Sequence, residues 1–129
     1  MKAIRQKVNF KATPHEVYEA LMDQRKHSEF TQSNAKISRK AGGSFSVYDG
    51  YSTGKNLMLI QDKKIIQTWR ASDWPENHFS TVMFEFEETK TGTKLIFTQK
   101  NVPPDQYAAI STGWKEHYWD KMKKMFEKK

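Results

Sequence analysis

The sequence predicts an α+β domain in which a curved antiparallel sheet of about six to seven strands wraps a long C-terminal helix. Two short helices are expected after the first strand. Three observations predict this order. An alternating apolar run at 2–11 leads directly into a helix-start signature. A series of strand-like segments separated by turn residues then fills 35–100. The chain ends on one helical stripe over 105–126.

The first strand is read from Ile4, Val8 and Phe10 on one side against Arg5, Lys7 and Lys11 on the other. Thr13-Pro14-His15-Glu16 starts a helix. Thr13 is placed to cap, Pro14 takes the first helical position, and Glu16 can reach back to complete a capping box. Val17, Tyr18, Leu21 and Met22 follow at helical spacing, and the helix should end near Asp23. A second short helix is expected over 25–31, with Phe30 as its apolar anchor.

A strand is expected over 35–39, then a kink at Gly42-Gly43. Phe45 and Val47 alternate with Ser44, Ser46 and Tyr48, and Asp49-Gly50 signals a hairpin. Return strands are expected over 53–60 and 64–71, a loop over 72–77, and the last two strands over 79–87 and 93–100. Val102-Pro103-Pro104 stops the sheet. Tyr107, Ile110, Trp114, Tyr118, Met122 and Met125 then recur three or four apart. A helix of that length runs about 33 Å and needs a broad curved sheet to cover its aromatic stripe.

Composition narrows the function classes. A chain of 129 residues fits a single domain over 1–129. The absence of cysteine excludes disulfides, thiol chemistry and thiolate zinc sites, and suits a cytoplasmic location. No stretch approaches the roughly 18 apolar residues of a membrane span. The N-terminus has no apolar run of the signal-peptide kind. The formal charge of +7 gathers at Lys121, Lys123, Lys124, Lys128 and Lys129, where cations complement the end of a helix dipole. That local reading stands against nucleic acid as a partner. The four histidines lack metal-ligand spacing, so no metal site is expected. No nucleophile motif or phosphate cradle is present either, and no catalytic residue or cofactor is assigned.

Several segments together carry a family resemblance. They are Gly43-Ser44-Phe45, Asp49-Gly50, Ile65-Ile66-Gln67-Thr68-Trp69-Arg70, Trp74-Pro75-Glu76-Asn77-His78-Phe79-Ser80, Val102-Pro103, and Gly113-Trp114 through Tyr118-Trp119. In this order and spacing they resemble the C-terminal domain of the activator of the heat-shock-protein-ninety ATPase. That family lies within the START-like, or SRPBCC, superfamily of helix-grip proteins. The opening 13–21 resembles the usual start of those domains. The resemblance implies a deep cavity between sheet and long helix, used in the superfamily for lipids, sterols, polyketides or other apolar molecules. It also implies contact with a heat-shock chaperone. The eukaryotic activators carry a further N-terminal domain that engages the chaperone, and this sequence is expected to begin directly at the helix-grip domain.

Three functions are therefore carried forward. The first is a non-enzymatic binding protein for a small hydrophobic ligand. Its cavity would be lined by Phe30, Phe45, Leu57, Leu59, Trp69, Phe84, Trp114 and Tyr118. Gly113 would thin the helix so that a ligand can approach. The second is a chaperone-associated interaction module using Trp74, Lys121, Lys123 and Lys124 as its surface, with Trp74 alternatively folded back as a cap on the core. The third is an enzyme in the cavity with His117 as acid or base. Arg70 is expected to face outward toward Glu85 or Glu87. The protein is expected as a monomer or homodimer.

Overall fold

The signature at Thr13 sets the first boundary as expected. The Thr13 hydroxyl accepts from the Glu16 amide at 3.1 Å, and the Glu16 carboxylate accepts from the Thr13 amide at 2.9 Å. The structure, a computed structural model, describes residues 3–127. Lys128 and Lys129 of the C-terminal lysine run, and the start of the first expected strand, lie outside the described residues.

Strand β1 (Ile4–Phe10) precedes helices α1 (Pro14–Met22) and α2 (Gln24–Thr31). Then come β2 (Lys36–Ile37), β3 (Ser44–Val47), β4 (Ser52–Ile60), β5 (Lys64–Ala71), β6 (Ser80–Thr89) and β7 (Gly92–Lys100). A 3-10 turn at Pro104–Gln106 leads into α3 (Tyr107–Trp114), a π-turn (Lys115–Trp119) and α4 (Asp120–Glu127). All seven strands form one antiparallel sheet in the order β1-β7-β6-β5-β4-β3-β2. The chain returns to lay β7 beside β1, and the curved sheet grips the C-terminal helical run.

The core is where that helix meets the sheet. Trp114 lies 4.4 Å from Phe97, 5.6 Å from Trp69 and 5.9 Å from Phe84, ring centre to ring centre. Phe126 meets Phe10 at 5.6 Å. Edge-to-face and tilted pairs of this kind add roughly 0.5–1.5 kcal/mol each beyond area burial. A run of polar groups inside is paired end to end. Trp114 Nε1 donates to Gln99 Oε1 at 2.8 Å, Gln99 Nε2 to Ser80 Oγ at 2.9 Å, and Ser80 Oγ to the Trp69 carbonyl at 2.7 Å. One unbroken chain of donors thus ties helix, β7, β6 and β5 together.

The C-terminal helix is not the uniform α-helix expected. Ile110, Trp114, Tyr118, Met122 and Phe126 are all buried, at a strict spacing of four. On an ideal helix each such step overshoots a turn by about 40°. The stripe would wind through about 160° and leave the sheet. A π-turn accommodates one extra residue and takes back much of that drift. The Asp120 amide accordingly reaches back five residues, to the Lys115 carbonyl. Gln6 of β1 holds the helix on both sides of Lys115, donating to the Ser111 carbonyl at 2.9 Å and accepting from Trp119 Nε1 at 2.6 Å.

Three further expectations are corrected. Leu57 was expected inward with Leu59 and is 54% exposed: it faces out in phase with Thr53 and Lys55, and the bulge between Asn56 and Met58 then shifts the phase so that Leu59 alone turns toward the core. Arg70 pairs with neither Glu85 nor Glu87. It lies beyond the β5–β6 ladder, which ends at Trp69 opposite Ser80, and donates to the carbonyls of Trp74 and Pro75. Lys64 takes Glu85 instead, at 3.9 Å. Trp74 was placed on a partner surface and is buried, with its ring 5.3 Å from Trp69. The Arg70 contacts hold its loop folded back onto the core edge.

Candidate functional site

The interior between sheet and helix is filled. Leu21, His27, Phe45, Ile65, Phe84 and Trp114 are among the residues around a residual void of about 20 Å³, room for a single water. A deep cavity of the expected kind is therefore absent among the described residues. The open space lies to one side. A cleft of about 410 Å³ runs between the helix and the β3–β4 turn, within the range of small-molecule sites.

Each wall of the cleft has a local cause. From the helix, Ile110, Gly113, Trp114, His117 and Tyr118 face it. Gly113 has no side chain, and a Cβ built there would meet only His117 Cδ2, at 3.8 Å. The helix backbone is consequently open to the cleft at that point. Trp69 closes the inner end from β5. Tyr48, Tyr51 and Ser52 form the opposite wall, and exposed Tyr51 and His117 stand at the rim.

The turn that carries Tyr48 is conformationally demanding. Tyr48 and Asp49 both adopt left-handed backbone angles, φ 53° and 55°. An aromatic residue there is uncommon and costs on the order of 1 kcal/mol or more. Asn34 and Asp49 lock it with reciprocal bonds of 3.1 Å. The outcome is a Tyr48 side chain aimed at the π-turn, where its hydroxyl donates to the His117 carbonyl. Burial raises the Tyr48 hydroxyl well above the usual tyrosine range, so it stays a donor at every physiological pH. Tyr51 is raised as well, by burial first and by Asp73 second.

Behind the cleft sits a buried dyad. His27 Nε2 lies 3.1 Å from the Tyr118 hydroxyl, and Nδ1 lies 3.2 Å from the Leu21 carbonyl. A carbonyl only accepts, so Nδ1 carries the proton and Nε2 accepts from Tyr118. Burial lowers the His27 pKa from 6.5 to about 4, which keeps the ring neutral. Burial also pushes the Tyr118 hydroxyl well above its usual range.

The structure thus brings Trp69, Trp114 and Tyr118 together at the cleft. Phe45 and Phe84 border the inner void instead. Phe30 packs on His27 and Tyr118, at 5.0 and 5.8 Å, and borders a separate surface groove with Lys121 and Lys124. Leu59 is half-buried at the core margin. Tyr48, Tyr51, Ser52 and His27 were not assigned to the site from the sequence, and Ile110 was read only as part of the helix's apolar stripe. The strict spacing of four in the helix was the signal that could have marked the π-turn. Nothing local marks Tyr48, whose position depends on a turn 69 residues from its partner. Lys123 and Lys124 are exposed. Lys121 is half-buried, with Nζ 3.4 Å from the Thr31 carbonyl and 5.7 Å over the Tyr48 ring. Among the described residues, no cluster of His, Asp and Glu could hold a metal ion, and no helix is long and apolar enough to cross a membrane.

A sheet of this order gripping one long helix, with a cleft at their margin, defines a START-like helix-grip protein. Solved structures agree in fold. An HSP90 activator from Plasmodium falciparum superposes with a TM-score of 0.91, at 24% identity, over 97% of this chain and 96% of that one. The Aha1 dimer from Colwellia psychrerythraea superposes at 0.84, with 22% identity over 98% and 97%. The model of the Activator of Hsp90 ATPase homolog 1-like protein family matches residues 11–127, and the chain belongs to that family. It is 32% identical to the Activator of 90 kDa heat shock protein ATPase homolog of Dictyostelium discoideum, over 97% of this chain and 33% of that protein. It is 29% identical to the human homolog 1, over 93% and 36%. The chain spans about a third of the length of these curated relatives.

Proposed function

We propose that this domain binds a small, mostly apolar molecule in the cleft between the helix and the β3–β4 turn. The observation that carries the reading is Gly113. It leaves the helix backbone bare opposite Trp69 and Tyr118, in a cleft of about 410 Å³, while the rest of the interior is filled. The rings supply area and stacking, and the Tyr51 hydroxyl at the rim and the Ser52 hydroxyl in the wall supply polar contacts. Native mass spectrometry of the purified protein, then a thermal-shift screen of lipids, sterols and aromatic compounds, tests it. A ligand at a hundred times its Kd stabilises by about 2.7 kcal/mol. Gly113→Leu fills the cleft and should abolish any shift found. A shift that survives Gly113→Leu places binding elsewhere, and a flat screen with no co-purified mass removes the reading.

A second reading, docking on an Hsp90-type chaperone, is favoured by family membership and by relatives named as activators of its ATPase. Its surface on this chain would be Lys121, Lys123 and Lys124 without Trp74, which is buried. Such contacts are screened by salt over about 10 Å at 0.1 M. A pull-down with the chaperone that is unmoved by salt, or by replacing the three lysines, counts against this surface.

A further inference from the structure

The cleft between the helix and the β3–β4 turn differs in charge from the chain around it. The chain carries 22 lysines and arginines and a formal charge of +7. Among the described residues, no lysine or arginine lines the cleft. Five of its lining residues are aromatic instead. Tyr48 and Tyr51 stand on one wall, Trp69 at the inner end, and Trp114 and Tyr118 come from the helix. An aromatic ring has a negative face, and rings gathered around one space attract a cation without a carboxylate in contact with it. One ring shows the property already. Lys121 Nζ lies 5.7 Å over the Tyr48 ring, from the separate groove beside Phe30.

The mouth of the cleft adds negative charge. The Ser72 amide donates to the Tyr51 carbonyl at 2.7 Å, which ties the loop after β5 to Tyr51. Asp73 follows, exposed, and its charge adds to the burial that raises the Tyr51 hydroxyl. On the helix, exposed Glu116 comes three residues after Gly113, on the same flank. Among the described residues, neither Asp73 nor Glu116 forms an ion pair.

We infer that the ligand of this cleft is an organic cation of the methylated or quaternary ammonium class, held against the aromatic walls and drawn in by Asp73 and Glu116. The inference rests on the cleft being a small-molecule site and adds the class that enters it. A methylated ammonium suits the space on two counts. Its methyl groups bury apolar area against the rings, and its positive charge meets their faces. An anion would meet the same faces and both carboxylates, with no lysine or arginine in the cleft to receive it.

Choline and its neutral isostere, with a tert-butyl group in place of the trimethylammonium, test the inference because they share shape and differ in charge. Each is titrated into isotope-labelled protein, and NMR follows the Gly113 amide and the indole N–H signals of Trp69 and Trp114. Choline should shift these signals and bind about tenfold more tightly than the isostere. Tyr51→Leu, at an exposed ring, should remove most of that preference and leave the isostere's affinity within about twofold. Asp73→Asn should weaken choline alone, by about two- to threefold at low salt. Lys121→Gln removes the competing cation and should tighten choline. Phosphatidylcholine vesicles separate the two sources of this chemistry: co-sedimentation assigns the cation to a lipid headgroup, and its absence assigns it to a free solute. Equal affinity for choline and the isostere overturns the cation and leaves the cleft standing as a small-molecule site. A choline preference unmoved by both Tyr51→Leu and Asp73→Asn also overturns it. So does the absence of any shift with choline, and the wider ligand screen then judges the cleft by itself.

Discussion

The hydroxyl of Tyr48 donates to the main-chain carbonyl of His117, 69 residues further along the chain. That contact joins a turn in left-handed conformation to a helix in π-conformation, so each irregularity is held by the other. Widening a helix to admit an extra residue disturbs its regular carbonyl–amide pairing. Here a tyrosine from the sheet side takes one of those carbonyls, and Gln6 from the other margin takes Ser111. The cleft lies directly between the two anchored parts.

Tyr48→Phe removes that donor and leaves the ring. It should destabilise the fold by about 0.5–1.5 kcal/mol, the net contribution of one hydrogen bond whose acceptor water can reach. Chemical denaturation gives the number. Slower-exchanging amides of 115–119 should also become faster in the variant. A stability loss without faster exchange there would mean that Tyr48 acts through packing on Tyr118 and His117 alone.

Gly113→Ala should raise stability by up to about 1 kcal/mol, because glycine is a poor helix former and the added Cβ meets nothing closer than 3.8 Å. A gain on thermal denaturation would mean that Gly113 is kept at a cost to the fold, as a site requires. A loss would mean that the helix backbone there packs more tightly than this geometry allows.

Much of the fold was legible because local and global signals agree. The capping box at Thr13, the alternation of β5 to β7 and the apolar stripe of the helix each point to the structure found. The site was less legible. Trp69, Trp114 and Tyr118 were readable as inward rings from period alone. Leu57 was misread with Leu59 because one bulged residue shifts the alternation between them, and a bulge carries no sequence mark at Asn56-Leu57-Met58. Arg70 was misread because strand period gives its face but not the end of the ladder. Its partners are carbonyls of the following loop, which pattern reading does not see.

Trp74 offers a test of what buried rings contribute here. Among the described residues its Nε1 has no acceptor, while its ring packs on Trp69 and His78 at 5.3 and 5.7 Å. An unpaired buried donor costs roughly 1–3 kcal/mol, so losing it offsets the smaller ring of phenylalanine. Trp74→Phe should change stability by less than about 1 kcal/mol in either direction, and Trp74→Ala should cost about 3–5 kcal/mol. Equal losses in the two variants would show that the indole N–H has a partner in solution.

His27 makes the stability of the fold depend on pH. Its ring is buried among Phe30, Tyr118 and the Leu21 carbonyl, and burial lowers its pKa from 6.5 to about 4. Between those two values the unfolded chain binds a proton that the folded chain does not. Stability therefore falls as pH drops from about 6.5 toward 4, by roughly 3 kcal/mol in all, and is independent of this group above pH 7. His27→Gln keeps a polar side chain and removes the titration. It should lose stability at pH 7, where the Tyr118 and Leu21 contacts are disturbed, yet lose less than the unmodified protein between pH 6.5 and 4. Urea denaturation of both proteins at pH 7, 6 and 5 measures the difference, and carboxylate effects common to the two cancel. Parallel curves would show that His27 is protonated in the folded protein or shielded to the same degree in the unfolded chain. Converging curves would place the neutral His27–Tyr118 pair among the contacts that hold the C-terminal helix against α2.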